Sequence, residues 1–260
     1  MLLVLLILSL ALIGPLVTAD PNRIDVPMRF LPPSLAHPLG TDNLGRDLLA
    51  RVAVGTRSAL WIACIVIALS MTGGLVLGVT AALSGRLADR LVIGFCDIIS
   101  AFPSYILVFS LVALYGAGLG KLVFAIALAF LPQFARITRS QTLTLRNRPF
   151  IESARLMGLP APKIVVRHVL PNILGPVIVL ASMNIPSVIT AEAAMSFIGL
   201  GVQPPQTSLG TLIRDGYVFL DQSWWPIISA VAVLGLATLG CTLLGEALRD
   251  AVDPKMRRQP

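Results

Sequence analysis

Residues 149–172 read PFIESARLMGLPAPKIVVRHVLPN, the one long polar-tolerant stretch that has strongly apolar segments on both sides. Its punctuation predicts a helix, a glycine turn and a second helix. Pro149 suits a first helical turn, where its missing N–H costs no bond, and Glu152 places a negative charge near the positive end of the helix dipole. Gly158 permits a turn that a residue with a Cβ resists, and Pro160 and Pro162 cannot extend the preceding hydrogen-bond ladder. A second short helix is expected over 163–170. Arg155, Lys163 and Arg167 make the polar side basic. The stretch therefore reads as an elbow that lies against apolar segments and offers a face to something outside them.

The flanking segments set the class. Of 260 residues, 56% are hydrophobic, and the mean hydropathy is +0.85. One soluble core cannot hide that much apolar surface, so the chain is expected to be an integral membrane protein surrounded by lipid. The net charge of +7 does not point to nucleic acid, because the basic residues are spread between apolar runs without an interleaved aromatic patch. Cys64, Cys96 and Cys241 all fall inside apolar segments without metal-ligand spacing, and are expected to be small buried hydrophobes.

The expected fold is an all-α polytopic membrane protein with six transmembrane helices. Residues 1–19 hold the first span, 20–57 an extracytoplasmic segment, 58–248 the membrane core and 249–260 a cytoplasmic tail. Within the core, spans are expected over 58–83, 91–115, 122–135, 173–199 and 225–244, with the polar loop 136–172 between the fourth and fifth helices. The tripeptide at 17–19 could pass for a signal-peptidase site, but no basic residue precedes the apolar run, so an uncleaved span is expected. Gly73, Gly74 and Gly78 allow close helix approach. Arg90 and Asp97, seven apart, share a helical face and are expected to pair, and Arg46 is expected to pair with Asp47. The run GAGLGK at 116–121 is not a phosphate loop: Tyr115 occupies the place of the first glycine, and Leu122 that of the magnesium-binding hydroxyl.

Charge orients the chain. With an interior amino terminus, thirteen basic residues fall on interior segments and seven outside, whereas four acidic residues fall inside and six outside. The elbow and both termini are therefore expected in the cytoplasm, the side where ATP is available. The fifth span carries Ser182, Asn184, Ser187, Thr190 and Glu192. Polar groups at membrane depth are costly unless they line water or a partner, so these five are the expected translocation path. No nucleotide-binding fingerprint, metal-ligand cluster or nucleophile with a placed base is legible, and His37 and His168 fall on opposite sides of the membrane. Catalysis by this chain alone is not expected, and it has no expected cofactor or metal site of its own.

Several motifs carry a resemblance. Glu152-Ser153-Ala154, then Gly158, then His168-Val169-Leu170-Pro171-Asn172, is similar to the "EAA" loop of the membrane subunits of bacterial ATP-binding-cassette importers, with Ser153 in place of the usual alanine. HPLGTDNLGRD at 37–47, EAAMSFIGLGVQPP at 192–205 and LRDAVDPK at 248–255 resemble the branch that carries dipeptides, oligopeptides or nickel. The resemblance implies that Glu152, Ser153, Ala154, Arg155, Met157, Gly158, His168, Leu170, Pro171 and Asn172 couple the chain to a separate ATPase through a coupling helix. It also implies a second homologous permease subunit, two ATP-binding subunits that hold ATP and Mg, and an extracytoplasmic substrate-binding protein. Di- or oligopeptides are the expected cargo, with nickel or a metal chelate as the alternative, because the expected path contains no histidine. A rival from another class is an ion-driven secondary carrier using Asp97 and Glu192.

Overall fold

The computed structural model describes residues 2–18 and 20–252. Helices account for nearly all of the regular structure, and among the described residues the only β-type pairing is a single bridge between Thr41 and Asp47. The helices are α1 (Leu2–Leu12), α2 (Gly14–Val17), α3 (Leu48–Leu83), α4 (Gly85–Ser100), α5 (Ser104–Tyr115), α6 (Leu119–Arg146), α7 (Pro149–Leu156), α8 (Ala161–Ile164), α9 (Leu170–Ile198), α10 (Leu209–Val218) and α11 (Trp225–Val252). Four helical stretches are long and apolar enough to cross a membrane: α3, α6, Ala161–Ile198 and α11.

The other two expected spans take different forms. The 91–115 span is a pair, α4 and α5, bent by 88°. Pro103 supplies no N–H and disfavours helical geometry at Phe102, which ends α4 at Ser100. The first expected span is an eleven-residue apolar helix followed by a turn. Eleven residues rise only about 16 Å, short of a bilayer core of about 30 Å. Pro15 explains the break, because it cannot donate to the carbonyl of Ala11. Boundaries also shift. α3 begins ten residues before the expected 58, and α6 continues through Arg136, Arg139 and Arg146, so the first part of the expected 136–172 loop is helix. α11 likewise runs past 244 into the expected tail, whose residues from 253 onward lie outside the described residues.

Contacts divide the chain into two compact units. The first comprises residues up to Ile65, Val108–Ile126 and Ile185–Leu244. Leu48, Val52, Leu122, Ile126, Ile189 and Leu209 are fully buried in it. α10, which the sequence did not signal, is wedged by glycines. A Cβ on Gly55 of α3 would stand 3.2 Å from the amide nitrogen of Leu209, one on Gly210 would stand 2.8 Å from Cα of Ala193 in α9, and one on Gly216 would stand 2.6 Å from the amide nitrogen of Ile227 in α11. Ser208 and Thr211 cap α10 reciprocally.

The second unit comprises Val66–Leu107, Ala127–Asn184 and the residues from Gly245. Here α3 meets α6 almost backbone to backbone, and Ser70 Oγ donates across to the carbonyl of Ala127 at 2.9 Å. Arg146 Nη1 donates to the carbonyl of Ala82 at the end of α3. The expected Arg90–Asp97 pair is replaced by a tertiary one, since Asp97 accepts from Arg136 of α6 at 2.9 Å, and Asp89 accepts from Arg139 Nη2 at 2.7 Å. Of the cysteines, only Cys96 is buried; Cys64 is exposed and Cys241 lies between.

Candidate functional site

The elbow is built as a helix whose end is forced by its glycine. Arg148 is extended, Pro149 opens α7, and Glu152 sits in the first turn. At the other end Gly158 takes φ +75, its N–H donates to Arg155 O at 2.9 Å, and the N–H of Leu159 donates to Ala154 O at 3.2 Å. These two bonds and the left-handed glycine form a Schellman close, which reverses the chain and folds Leu159 back under the helix. Pro160 then starts α8.

The expected separate second helix is instead the start of a continuous helical run, Ala161–Ile198, with one wide turn over Val165–Val169 in which Leu170 N–H reaches Val165 O. Pro171 gives the reason. It cannot donate to Arg167 O, and its ring would crowd that carbonyl in a regular turn; the wider turn relieves both. Asn172 Nδ2 donates to His168 O at 2.7 Å, and the His168 ring lies tilted beside Phe150 with ring centroids 6.5 Å apart.

Burial sorts the ten expected coupling residues by task. Ala154 is 1% exposed and, with Ile151, Ile164, Val169 and Ile173, forms a core that receives Leu75, Val79 and Leu170. Glu152, Ser153, Arg155, Met157, Gly158, Pro171 and Asn172 are exposed, and His168 is half-buried. Leu156, which the sequence reading passed over, is 89% exposed beside Met157 at 72%. An apolar residue two positions before the turn glycine was the available signal. The elbow thus has a buried base holding it to α3 and α9, and an outer tip where two large apolar side chains adjoin Glu152 and Arg155. Water alone does not favour such a tip; a partner surface does.

The base and the face respond differently to substitution. Ala154→Leu inserts a branched side chain into a filled core and is expected to lower stability by about 1–3 kcal/mol, read as a drop in the thermal unfolding midpoint in detergent. Ser153→Ala, one residue away but exposed, is expected to stay within about 0.5 kcal/mol. Equal effects at the two positions would contradict the assignment of base and face.

The five residues of the expected path do not share one face. Ser187 and Thr190 are exposed and lie with Met183 at i, i+4 and i+7 along α9. Thr190 donates to Pro186 O. Ser182 is half-buried and bonds Val179 O, while Asn184 is buried and donates to Leu180 O at 2.9 Å. Glu192 departs furthest from the expectation. It is fully buried and accepts from Ser196 Oγ at 2.6 Å, while the same hydroxyl accepts the N–H of Val202 at 3.1 Å. It is a pin that folds the chain back after α9, and of the five only Ser187 and Thr190 are exposed, on the face they share with Met183.

A second polar cluster lies in the 20–57 segment, where the sequence led to an expected Arg46–Asp47 pair. Asp42, not Asp47, is the partner of Arg46, at 2.6 Å, and also of Arg51, at 2.5 Å. Asp47 instead caps α3 by accepting the N–H of Ala50 and contacts His37 Nδ1, both at 2.8 Å.

Comparison with known proteins places this architecture. Residues 74–258 match the family described as binding-protein-dependent transport system inner membrane component. The chain is 37% identical to the di/tripeptide transport system permease protein DppC of Pseudomonas aeruginosa, over 99% of this chain and 87% of that protein. It is 40% identical to the oligopeptide transport system permease protein OppC of Haemophilus influenzae, over 85% of this chain and 71% of that protein. Its fold is similar to a chain of the MetNI methionine ABC transporter, with a TM-score of 0.60 at 19% identity, covering 78% of this chain and 96% of that one. With most of its length matched in this way, the chain belongs to the family of inner membrane components of binding-protein-dependent transport systems and is an integral membrane permease subunit.

Proposed function

We propose that this chain is half of the translocation path of an ATP-driven importer of di- or oligopeptides, moved by separate ATPase subunits that grip the elbow. The observation that carries the coupling is the elbow itself, with its buried Ile151–Ala154 base and its exposed Leu156–Met157 tip. Glu152 and Arg155 add polar contacts, Gly158 sets the bend, and Leu170, Pro171 and Asn172 join the elbow to α9, so that closure of the ATPase dimer displaces α9. ATP and Mg are bound by those partners. A second homologous permease and an extracytoplasmic binding protein complete the assembly. Peptide cargo is supported by the names of the relatives at 37% and 40% identity.

In this arrangement α1 with α2, and the bent α4–α5 pair, join the four long spans to make six crossings, with the elbow between the fourth and fifth. Both termini and the elbow are cytoplasmic, as the distribution of basic residues favours. The stripe of Met183, Ser187 and Thr190 on α9 lines the path. Cross-linking from Met157→Cys is expected to capture an ATPase subunit; recovery of lipid adducts alone rules the elbow out as the coupling element. Gly158→Val adds a side chain with no atom within 4 Å of its Cβ, so its cost is the left-handed backbone, about 1–2 kcal/mol. It is expected to lower peptide uptake by about tenfold while the protein still accumulates; unchanged uptake counts against coupling there. Uptake is expected to stop on ATP depletion and to survive collapse of ion gradients. The opposite pattern indicates an ion-driven carrier.

A further inference from the structure

The first unit contains a cleft of about 500 Å³ lined by Asn43, Arg46, Arg51, Gln206, Arg214 and Asp215. Pro204 and Pro205 give it an apolar wall. The charges do not balance within it. Three guanidinium groups line it with one carboxylate, Asp215, and Asp42 behind them is already saturated: one oxygen accepts the N–H groups of Leu44 and Arg46, the other the side chains of Arg46 and Arg51. Asp215 stands 3.9 Å from Arg51 Nη2 and 3.7 Å from Arg214 Nη2, too far for a hydrogen bond to either.

Arg51 is 4% exposed, yet its Nε has no partner. Arg214 makes no hydrogen bond among the described residues, and Gly199, at φ +91, leaves room for its guanidinium, since a Cβ there would stand 3.1 Å from Nη1. Arg51 is a dehydrated arginine with an idle donor, and Arg214 beside it, its side chain 36% exposed, is bonded to no protein group among the described residues, so the cleft carries positive charge that the protein does not offset.

We propose that this cleft binds the C-terminal carboxylate of the cargo peptide. A carboxylate supplies the missing negative charge and can accept two parallel N–H bonds from a guanidinium fork. The side-chain amides of Asn43 and Gln206 offer donors and acceptors to the peptide groups that precede it, and the volume suits a short peptide. This rests on the peptide-import reading above. In that orientation the cleft is extracytoplasmic, because α9 carries the chain from the elbow at one of its ends to Gly199 at the other. Arriving peptides are then held by their carboxyl end at the outer mouth.

The test uses the complete transporter, co-expressed with its second permease and ATPase subunits and placed in nanodiscs without the binding protein. The probes are tri-alanine and tri-alanine amide. Tri-alanine is expected to bind about tenfold more tightly than the amide. Arg214→Gln is expected to remove that preference, and Arg214→Lys to restore part of it. Equal binding of acid and amide by the unmodified transporter overturns the proposal, as does absence of tri-alanine binding. If Arg214→Gln leaves tri-alanine binding intact but weakens attachment of the binding protein, the carboxylate belongs to that protein and the proposal falls. Import of tri-alanine by the unmodified transporter with its binding protein is measured separately. Failure there rejects peptide cargo, whereas import without acid–amide discrimination rejects the carboxylate site alone.

Discussion

Asp42→Ala is expected to cost about 3–5 kcal/mol, a large fraction of the roughly 5–15 kcal/mol that separates a typical folded domain from its unfolded chain. Asp42 is 2% exposed and its side chain takes four hydrogen bonds, two from backbone N–H groups and two from arginines. Its removal leaves Arg51, also buried, with only the more distant Asp215, 3.9 Å away, to offset its charge, and frees the turn that leads into α3. Little properly folded protein is expected in mild detergent extracts, with a markedly lowered unfolding midpoint. Adding Arg51→Met to Asp42→Ala removes the stranded charge and is expected to recover much of the loss, because a buried pair replaced as a whole costs far less than one that is broken. A loss below about 1 kcal/mol for the single substitution, in the range of exposed pairs, contradicts this account.

Gly74→Ala is expected to be damaging although it adds a single methyl group. The new Cβ would stand 2.8 Å from the carbonyl carbon of Phe134 and 2.9 Å from the amide nitrogen of Ala135. Those atoms are backbone, so no side chain can swing aside and α6 itself must move. Gly78, one turn on, is equally confined, 2.5 Å from Ala135 O and 2.6 Å from Thr138 Cβ. Moving α6 also strains the Ser70 bond to Ala127 O and the ion pairs that Arg136 and Arg139 make with α4. A cost of about 1–3 kcal/mol or more is expected, seen as loss of thermal stability and of transport. Gly94→Ala is the control. Nothing lies within 4 Å of its added Cβ, and helix propensity alone favours alanine there by about 0.5–1 kcal/mol. If the two substitutions behave alike, the close α3–α6 approach is not what holds this unit together.

The sequence by itself determined the class, the elbow and the glycines of α3. Hydropathy makes spans obligatory whatever the tertiary packing, because every backbone polar group in lipid needs an internal partner. Pro149, Gly158 and Pro160 act through local dihedral limits, so the helix and its turn were legible before any contact was known. The fused second helix was not. Its wide turn answers a conflict between Pro171 and the carbonyl before it that spacing does not display, and the long helix it joins is stabilised by burial of Ile164, Val169 and Ile173. Charge partners were not legible in the sequence, whether the true partner was near or far. Arg90, Arg46 and Asp97 each had a plausible neighbour in sequence, yet Asp97 pairs 39 residues away and Arg46 turns to Asp42. An ion pair is chosen by distance and desolvation in the folded chain, and helix spacing fixes neither once α6 is brought against α4. The same holds for Glu192, whose polarity suggested an open path and whose burial made it a pin.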